Sequence, residues 1–234
     1  GITIIDMYLN RDLSSKDHHY PGLFESIQPE KRKELYYLPE LVKPKNLYRL
    51  FFQMRISDRN YLIKEDQLKL SDYIYAWNYL FRIKSLKCKK YIYKGINISP
   101  LIKEELINLD CFESIFRALL NYRFVMRLKE SRIKVRLVLD WFENHPGDKG
   151  LNIGFRDYYP QTQVIGIQGY PARQFDLGMF PLSSEVKYKV IPQKIAVIGK
   201  IWENRVTEFC ENVDVIQFPA LRFQQVWEER MKYP

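Results

Sequence analysis

The second half of the chain alternates short apolar runs with polar segments of helical length. The runs are rich in β-branched residues and end on turn or polar residues, which is typical of strands buried on both faces of a sheet. They cover residues 135–142, 162–168, 194–199 and 213–218. Because the segments 148–159 and 201–210 have the length of crossover helices, the pattern predicts four parallel strands of one sheet. Three prolines between residues 168 and 194 predict a long loop there, with at most a short helix.

The first half of the chain has a less regular pattern. Residues 1–9 predict one more strand, and residues 35–41 predict a short strand or extended edge that Pro39 interrupts. Residues 66–86 predict a single helix, because apolar side chains recur along it at helical spacing. This apolar stripe consists of Leu70, Ile74, Trp77 and Phe81.

Three further elements are predicted ahead of residue 135. Residues 90–98 alternate enough to form a strand. Ser99 and Pro100 supply a helix cap and a first-turn proline, so they predict a helix over residues 101–109. Residues 111–130 have the clearest helical pattern in the chain. Its predicted apolar face consists of Ile115, Leu119, Tyr122 and Met126, and its predicted polar surface carries Arg117, Arg123, Arg127 and Lys129.

These elements indicate an α/β protein with a Rossmann-like, mostly parallel sheet and basic helical insertions. We assign residues 1–222 to one Rossmann-like domain, with 31–134 as its basic, aromatic-rich helical part and 135–222 as its strand–helix–strand part. Residues 223–234 are interpreted as a tail or the start of a linker. Open parallel sheets bind ligands beyond the carboxyl ends of their strands, so chemistry is expected just after each apolar run.

The formal net charge of +9 comes from one region of the chain. Residues 31–134 carry 23 Lys or Arg and 11 Asp or Glu, whereas residues 135–234 carry 12 of each and residues 1–30 carry 2 and 5. The same basic region holds most of the tyrosines. Such a surface can face nucleic acid, anionic lipid headgroups or a negatively charged acceptor, or its aromatic side chains can turn inward to the core.

Composition and missing motifs exclude several classes of protein. No apolar run approaches the ~18 residues that a transmembrane helix needs. Cys88, Cys111 and Cys210 have neither metal-ligand nor disulfide-framework spacing, so they are interpreted as buried thiols in a cytoplasmic protein. The sequence lacks the motifs that are typical of NAD-dependent dehydrogenases, P-loop NTPases, zinc proteases and serine hydrolases. These functions are therefore not favoured.

Polar residues follow each of the four apolar runs. The candidate site residues are Glu143, Asn144, His145, Gln168, Gly169, Tyr170, Lys200 and Arg222. A carboxylate, an imidazole, a carboxamide and cations at one sheet edge can deprotonate a hydroxyl and hold an anionic ligand. Alternatively, Asn144, Pro146, Gly147, Gly169 and Pro171 only form turns, and Glu143 is a solvated side chain. Glu143 and His145 together are the hypothesised catalytic pair.

Several ordered blocks resemble bacterial surface-carbohydrate biosynthesis proteins. They are residues 137–144 (LVLDWFEN), 150–156 (GLNIGFR), 162–170 (TQVIGIQGY), 195–202 (IAVIGKIW) and 218–223 (FPALRF). In that family a strand ending in Glu-Asn or Glu-x-Gln precedes a helix and then a strand of the type VIGYQHG. This chain departs from the pattern at Gly169 and Tyr170, which stand where many relatives have a histidine after the glutamine.

The resemblance implies a GT-B glycosyltransferase, in which two Rossmann-like domains face each other across a cleft. The chain is then the amino-terminal, acceptor-side half, and the donor domain begins beyond it. Glu143 would act as the general base or the carboxylate that orients the acceptor, with His145 and Gln168 positioning that acceptor. The other candidates would bind acceptor or ligand; they are Asn144, Gly169, Tyr170, Lys200 and Arg222.

The resemblance also sets expectations for ligands and location. The co-substrate would be a nucleotide-sugar donor, with no cofactor and no metal, and the partner would be a carbohydrate or lipid-linked glycan acceptor. An anionic membrane surface is an expected contact at the inner face of the membrane, and nucleic acid is not. The alternative is a non-catalytic basic domain that binds nucleic acid or anionic lipid, which salt-dependent retention on DNA or RNA without sugar binding would favour. A purely structural, partner-docking domain is the third interpretation.

Overall fold

The computed structural model describes residues 1–10, 13, 19–42, 44–86, 89–107, 111–171 and 176–232 of the 234-residue chain. The strands of this described part are β1 Ile2–Asn10, β2 Leu35–Val42, β3 Asn60–Tyr61, β4 Ile92–Tyr93, β5 Ile96–Asn97, β6 Val135–Trp141, β7 Gln163–Gln168, β8 Lys194–Val197 and β9 Asp214–Gln217. Its helices are α1 Leu23–Ser26, α2 Pro29–Arg32, α3 Leu47–Arg55, α4 Lys64–Gln67, α5 Leu70–Trp77, α6 Tyr79–Lys84, α7 Ser99–Ile107, α8 Phe112–Glu130, α9 Pro146–Tyr158, α10 Ser183–Tyr188, α11 Lys200–Phe209 and α12 Gln224–Lys232.

Seven strands form one parallel sheet in the order β3-β2-β1-β6-β7-β8-β9. The predicted α/β class with a Rossmann-like parallel sheet is therefore confirmed. Strands β2 and β3 follow β1 toward one edge of the sheet, and strands β7 to β9 follow β6 toward the other edge. Such a reversal leaves a crevice beyond the carboxyl ends of the two central strands, where α/β proteins bind their ligands.

The predictions for the second half are confirmed. Strands β6 to β9 are parallel neighbours, and helices α9 and α11 make the two predicted crossovers. The connection between β7 and β8 contains a short 3-10 turn at Leu177–Met179 and helix α10. Residues 172–175 of this connection lie outside the described residues.

Apolar side chains on both faces of the sheet are buried, because successive strand residues point to opposite sides. Ile4 and Val138 pack with residues of α8 and α9 on one face. Ile5 packs with residues of α3 on the other face. Helices α8 and α9 lie unusually close at Gly150, where an added Cβ would be 2.0 Å from the Ala118 carbonyl oxygen. Glycine is thus required at this contact for steric reasons.

The prediction that Pro39 interrupts the second strand was wrong, because β2 runs unbroken from Leu35 to Val42. Tyr37 directs its carbonyl oxygen toward β3, where it accepts from the Leu62 N–H at 2.8 Å. Pro39 lies two residues further along and so faces the same side, beyond the end of β3. Its missing N–H therefore falls beyond the β2–β3 pairing and does not interrupt β2.

The single helix predicted over residues 66–86 is divided into α4, α5 and α6. Its apolar stripe is present but faces solvent, with exposures of 77% at Leu70 and 67% at Phe81. The predicted strand over 90–98 is the antiparallel hairpin β4–β5. Helix α7 matches the prediction over 101–107, and residues 108–110 lie outside the described residues.

The predicted helix over 111–130 is confirmed as α8, but its buried face was wrongly predicted. The most deeply buried apolar side chains of α8 are Phe124, Val125 and Leu128, which pack against the sheet and α9. Arg127 was expected on the surface and is instead buried, because it pairs with Asp72 of α5. Arg127 therefore lies inside the α5–α8 contact and not on the polar surface that the sequence predicted.

Cys210 is buried, Cys111 is half-buried, and both are free thiols, whereas Cys88 lies outside the described residues. Residues 224–232, interpreted from the sequence as part of a tail or linker, form helix α12. Within the described ranges, no helix combines the length and apolar character needed to cross a bilayer.

Candidate functional site

A cavity of about 380 Å³ lies at the carboxyl ends of β1 and β6, at the point where the strand order reverses. Asp6 and Tyr8 reach it from β1, Asp140 from β6, and Glu143 from the loop that follows β6. The remaining described residues around it come from β2, α8 and the start of α9. These are Glu40, Glu113, Ser114, Arg117, Asn121, His145, Pro146, Gly147, Asp148 and Leu151.

Glu143 sits where the sequence predicted it, just beyond β6 and beside the cavity. Its Oε1 accepts a hydrogen bond of 2.9 Å from the Trp141 indole N–H, and its Oε2 lies 3.1 Å from His145 Nε2. Each carboxylate oxygen is therefore held by a ring nitrogen. The side chain keeps 20% of its surface exposed, so a ligand in the cavity can reach it.

The loop that carries Glu143 is fixed by the beginning of α9. His145 precedes the helix and Pro146 occupies its first turn. Asp148 Oδ2 accepts from the backbone N–H of Glu143 at 3.0 Å and of His145 at 2.9 Å. One buried carboxylate in the first helical turn thus holds both candidate catalytic residues in place, as an N-terminal capping interaction does.

Burial alone would raise the pKa of Glu143, but hydrogen bonds from His145, Trp141 and Tyr170 outweigh it and lower this pKa below the ordinary value. Tyr170 also stacks on Trp141, with ring centroids 6.0 Å apart, and the Arg222 guanidinium lies 5.1 Å from the Tyr170 ring centroid. Glu143 is accordingly an ionised carboxylate at neutral pH, within a cluster that includes four of the predicted site residues.

The hydrogen bond with Glu143 raises the pKa of His145, and the nearby charges of Asp148, Glu143 and Asp176 act in the same direction against partial burial. The imidazole is 59% exposed, so solvent screens this interaction. His145 and Glu143 form a hydrogen-bonded pair at the cavity mouth, with Glu143 as the proton acceptor.

The other predicted residues hold the framework or lie apart from the cavity. Asn144, in a left-handed conformation with φ of 59°, donates to the carbonyl oxygens of Gly178 at 3.0 Å and Phe180 at 3.4 Å. Buried Gln168 donates to the Met179 carbonyl oxygen at 2.8 Å. Both amides therefore secure the β7–β8 connection, and neither residue is among the described residues that line the cavity.

Gly169 and Lys200 have different surroundings from those expected of ligand-binding residues. A Cβ on Gly169 would lie 2.4 Å from the Trp141 ring, so glycine there lets the ring pack beneath Glu143. Lys200 begins α11, and its Nζ lies 2.6 Å from Glu203 Oε1. Strand β8, which precedes Lys200, lies two strands from β6, roughly 10 Å along the sheet.

Sequence reasoning missed a group of buried carboxyls on the cavity floor, here called the acid cluster: Asp6, Asp140 and Asp148. Burial, reinforced by repulsion from neighbouring carboxylates, raises the pKa of Asp6 and Asp140 well above the ordinary value and that of Asp148 to about 6. Asp140 Oδ2 accepts from the Asn152 amide at 2.9 Å. No described residue donates to Asp140 Oδ1, which is buried.

A second missed group joins three elements beside the acid cluster. Lys64 pairs with Glu40 and donates to Asn121 Oδ1 at 2.9 Å, while the Asn121 amide donates to the Gly147 carbonyl oxygen at 3.1 Å. Arg117 of α8 also reaches Glu40, at 3.2 Å. These contacts tie β2, α4 and α8 to the start of α9 and so shape the cavity wall.

The sequence did contain a signal for the acid cluster. Asp6 and Asp140 are single carboxylates inside otherwise apolar strand runs, a few residues before each run ends. Charged residues are almost never fully buried unless something requires them. The neighbouring pairing of Ile5 with Leu139 brings the two carboxylates side by side, and this adjacency depends on the strand order.

The cavity as a whole is acidic. Six of its described lining residues carry carboxyl groups, and the cationic side chains among them are Arg117 and His145. Carboxylates accept hydrogen bonds from hydroxyl groups but repel phosphates, so the site suits a neutral, hydroxyl-rich ligand. Across the described residues, no three His, Cys, Asp or Glu side chains are arranged to hold a metal ion.

The chain was compared with protein families, curated proteins and solved structures. No protein-family model, curated protein or solved structure is significantly similar to the chain.

Proposed function

We propose that the chain is the acceptor-side domain of a glycosyltransferase, which moves a sugar from a nucleotide-activated donor to an acceptor hydroxyl in the synthesis of a cell-surface polysaccharide. The observation that carries the proposal is Glu143, an ionised and partly exposed carboxylate beside the cavity at the topological switch point. The resemblance of residues 137–170 to surface-carbohydrate biosynthesis proteins supports the same reaction.

The chemistry requires a base at this position. The acceptor hydroxyl oxygen attacks the anomeric carbon of the donor sugar, and a new C–O bond forms as the bond to the nucleotide phosphate breaks. The phosphate leaves with the bonding electrons, and the hydroxyl proton passes to Glu143. His145 and Trp141 keep the carboxylate oriented through hydrogen bonds, so they act as positioning residues.

The acidic lining favours an acceptor rather than a donor in this cavity. A nucleotide diphosphate would meet Glu40, Glu143 and Asp148 at close range, whereas sugar hydroxyls can donate to the same carboxylates. The nucleotide-sugar co-substrate is therefore proposed to bind on a facing domain outside this chain. A carbohydrate or a lipid-linked glycan is the proposed acceptor, and the cytoplasmic face of a membrane is the proposed place of reaction.

The substitution Glu143→Gln tests the proposal, because it keeps the shape of the side chain and removes its basicity. In the complete enzyme, supplied with a panel of nucleotide sugars and glycan acceptors, turnover should fall by roughly 10²–10⁴. Acceptor binding to the chain itself, followed by saturation-transfer NMR, should be retained. Glu203→Gln is a matched control, since Glu203 is similarly exposed at 23% and also hydrogen-bonded, but lies on α11.

Two results would refute the assignment of Glu143. One is a wild-type turnover in Glu143→Gln with unchanged folding stability. The other is an equal loss of turnover in Glu203→Gln, which would indicate a general effect of removing a hydrogen-bonded carboxylate.

A further inference from the structure

The fold leaves the apolar stripe of α5 and α6 uncovered, and this stripe does not border the cavity. Leu70, Ile74, Trp77 and Phe81 recur at helical spacing along α5 and α6, and all four are more than half exposed. Trp77 is anchored edge-on against Phe112 of α8, with ring centroids 5.5 Å apart. A stripe of this kind is usually the buried side of a helix, so its exposure marks a binding surface.

The β4–β5 hairpin adds to this surface. Ile92 and Ile96 are 61% and 67% exposed, and a two-stranded hairpin has no core of its own to bury them. The Tyr91 N–H donates to Ser99 Oγ at 2.8 Å, which ties the hairpin to the start of α7. The Tyr79 hydroxyl of α6 donates to the Leu106 carbonyl oxygen of α7 at 3.1 Å. The stripe on α5 and α6 and the β4–β5 hairpin are thus both connected to α7. The exposed side chains of these connected elements are here called the 70–103 surface.

The charge of this segment is one-sided. Residues 73–103 contain seven Lys or Arg, seven aromatic residues and no Asp or Glu. Lys84, Lys89, Lys90, Lys94 and Lys103 are exposed. Arg123 and Arg127, by contrast, pair with buried Asp72. The exposed lysines of this segment therefore lie among exposed apolar side chains, with no acidic residue between positions 73 and 103.

We propose that the 70–103 surface docks the protein on an anionic lipid bilayer, with the stripe and the hairpin entering the interfacial region and the lysines contacting lipid phosphates. Aliphatic and aromatic side chains bordered by lysines are the composition of interfacial membrane anchors. Nucleic acid fits less well, because aliphatic Leu70, Ile74, Ile92 and Ile96 are exposed among the aromatic rings and cannot stack on a base, and because six of the seven cations are lysines. This inference does not depend on the proposed glycosyl transfer.

Vesicle co-sedimentation tests the inference with the wild-type chain. The protein should bind vesicles that contain phosphatidylglycerol, bind pure phosphatidylcholine vesicles far less, and lose binding as salt rises past ~0.15 M. Ile92→Glu with Ile96→Glu should weaken binding at least about tenfold, because it removes two apolar side chains from the interface and adds negative charges that the anionic lipid repels. Lys89→Glu with Lys90→Glu should weaken it roughly 30-fold or more, since each lysine contributes about a factor of five.

Matched controls separate the surface from general charge and hydrophobicity. Ile201→Glu changes an isoleucine that is 74% exposed on α11, and Lys134→Glu with Lys187→Glu makes the same change in net charge elsewhere. Both controls should bind vesicles like the wild type, and circular dichroism should show all variants folded.

Several outcomes would overturn the inference. Equal binding to neutral and anionic vesicles, or wild-type binding by both hairpin variants, would remove its basis. Binding to RNA or DNA at physiological salt without vesicle binding would assign the surface to nucleic acid. Concentration-dependent dimerisation that Ile92→Glu with Ile96→Glu abolishes, without vesicle binding, would assign it to self-association.

Discussion

The Glu143–His145 pair is the smallest unit of the molecule that carries proposed chemistry. The two side chains are two residues apart in sequence, and their contact of 3.1 Å arises because α9 begins between them and Asp148 holds both backbone N–H groups. A loop residue with fixed hydrogen-bond partners is pre-organised for proton transfer. The contact between the two side chains is therefore set by the conformation of the turn. Trp141 and Tyr170 stabilise the pair further through hydrogen bonds to Glu143.

The pair also has a predictable pH dependence. The pKa of His145 is raised by Glu143, so its contribution to folding stability is fully present below the ordinary histidine pKa and is lost as pH rises through its own raised pKa. In Glu143→Gln the His145 pKa should fall toward about 6.5. NMR titration of the imidazole Cε1–H signal measures this, with His145→Asn to assign the signal among the three histidines. An unchanged His145 pKa in Glu143→Gln would contradict the pairing.

At the scale of elements, Asp72 holds the 70–103 surface on the rest of the fold. It is fully buried at the start of α5 and accepts from Arg123 Nε at 2.7 Å and Arg127 Nε at 2.8 Å on α8. Burial by itself raises the pKa of Asp72, but the hydrogen bonds from Arg127, the Lys69 N–H and Arg123 outweigh it and lower the pKa to about 2. The ion pairs thus remain intact above that pH.

Asp72→Asn should therefore cost about 3 kcal/mol of unfolding free energy at neutral pH, because it removes the buried counter-charge of Arg123 and leaves Arg127 with only the half-exposed Glu130. Urea unfolding followed by circular dichroism measures this value. Asp66→Asn is the matched control: its pair with Arg55 is about half exposed, so the expected cost is below about 1 kcal/mol. Similar costs for the two substitutions would show that Asp72 does not anchor α5 through its charge.

At the scale of the whole molecule, the strand order concentrates carboxyl groups at one point. Strands β1 and β6 place Asp6 and Asp140 side by side at the switch point, and α9 adds Asp148. Glu40 also repels Asp6, while Lys64 offsets part of that repulsion. Burying several carboxyls together opposes folding at neutral pH, and carboxyls with pKa values raised in this way are found preferentially at functional sites.

The sign of the pH effect follows from the raised pKa values. A carboxyl with a folded-state pKa above its unfolded value binds more protons when folded, so stability falls as pH rises from about 4 through about 6, the pKa of Asp148. Asp6→Asn should remove part of this loss and raise unfolding free energy at pH 8 by about 0.5–2 kcal/mol, with a smaller gain at pH 5. Thermal unfolding at both pH values measures it, and a larger gain at pH 5 would contradict the explanation.

Much of the fold could be read from local pattern. The apolar runs predicted β1 and β6 to β9, and the polar intervals predicted α9 and α11, because strand and helix periods are properties of neighbouring residues. Glu143 and His145 were found for the same reason, since strand ends in a parallel sheet mark the binding edge. Their catalytic role stays a prediction.

Other features depended on contacts between distant residues. Adjacency of Asp6 and Asp140 requires β1 and β6 to pair across more than a hundred residues, which no local period encodes. Arg127 turned inward because Asp72 of another helix offered a partner. The sequence by itself determined the elements of the second half, strand β1 and helix α8, as well as the sheet class and the residues at the strand ends. Only the tertiary structure decided which strands are neighbours, which charges are buried and which apolar face stays open, because each depends on the free energy of long-range packing.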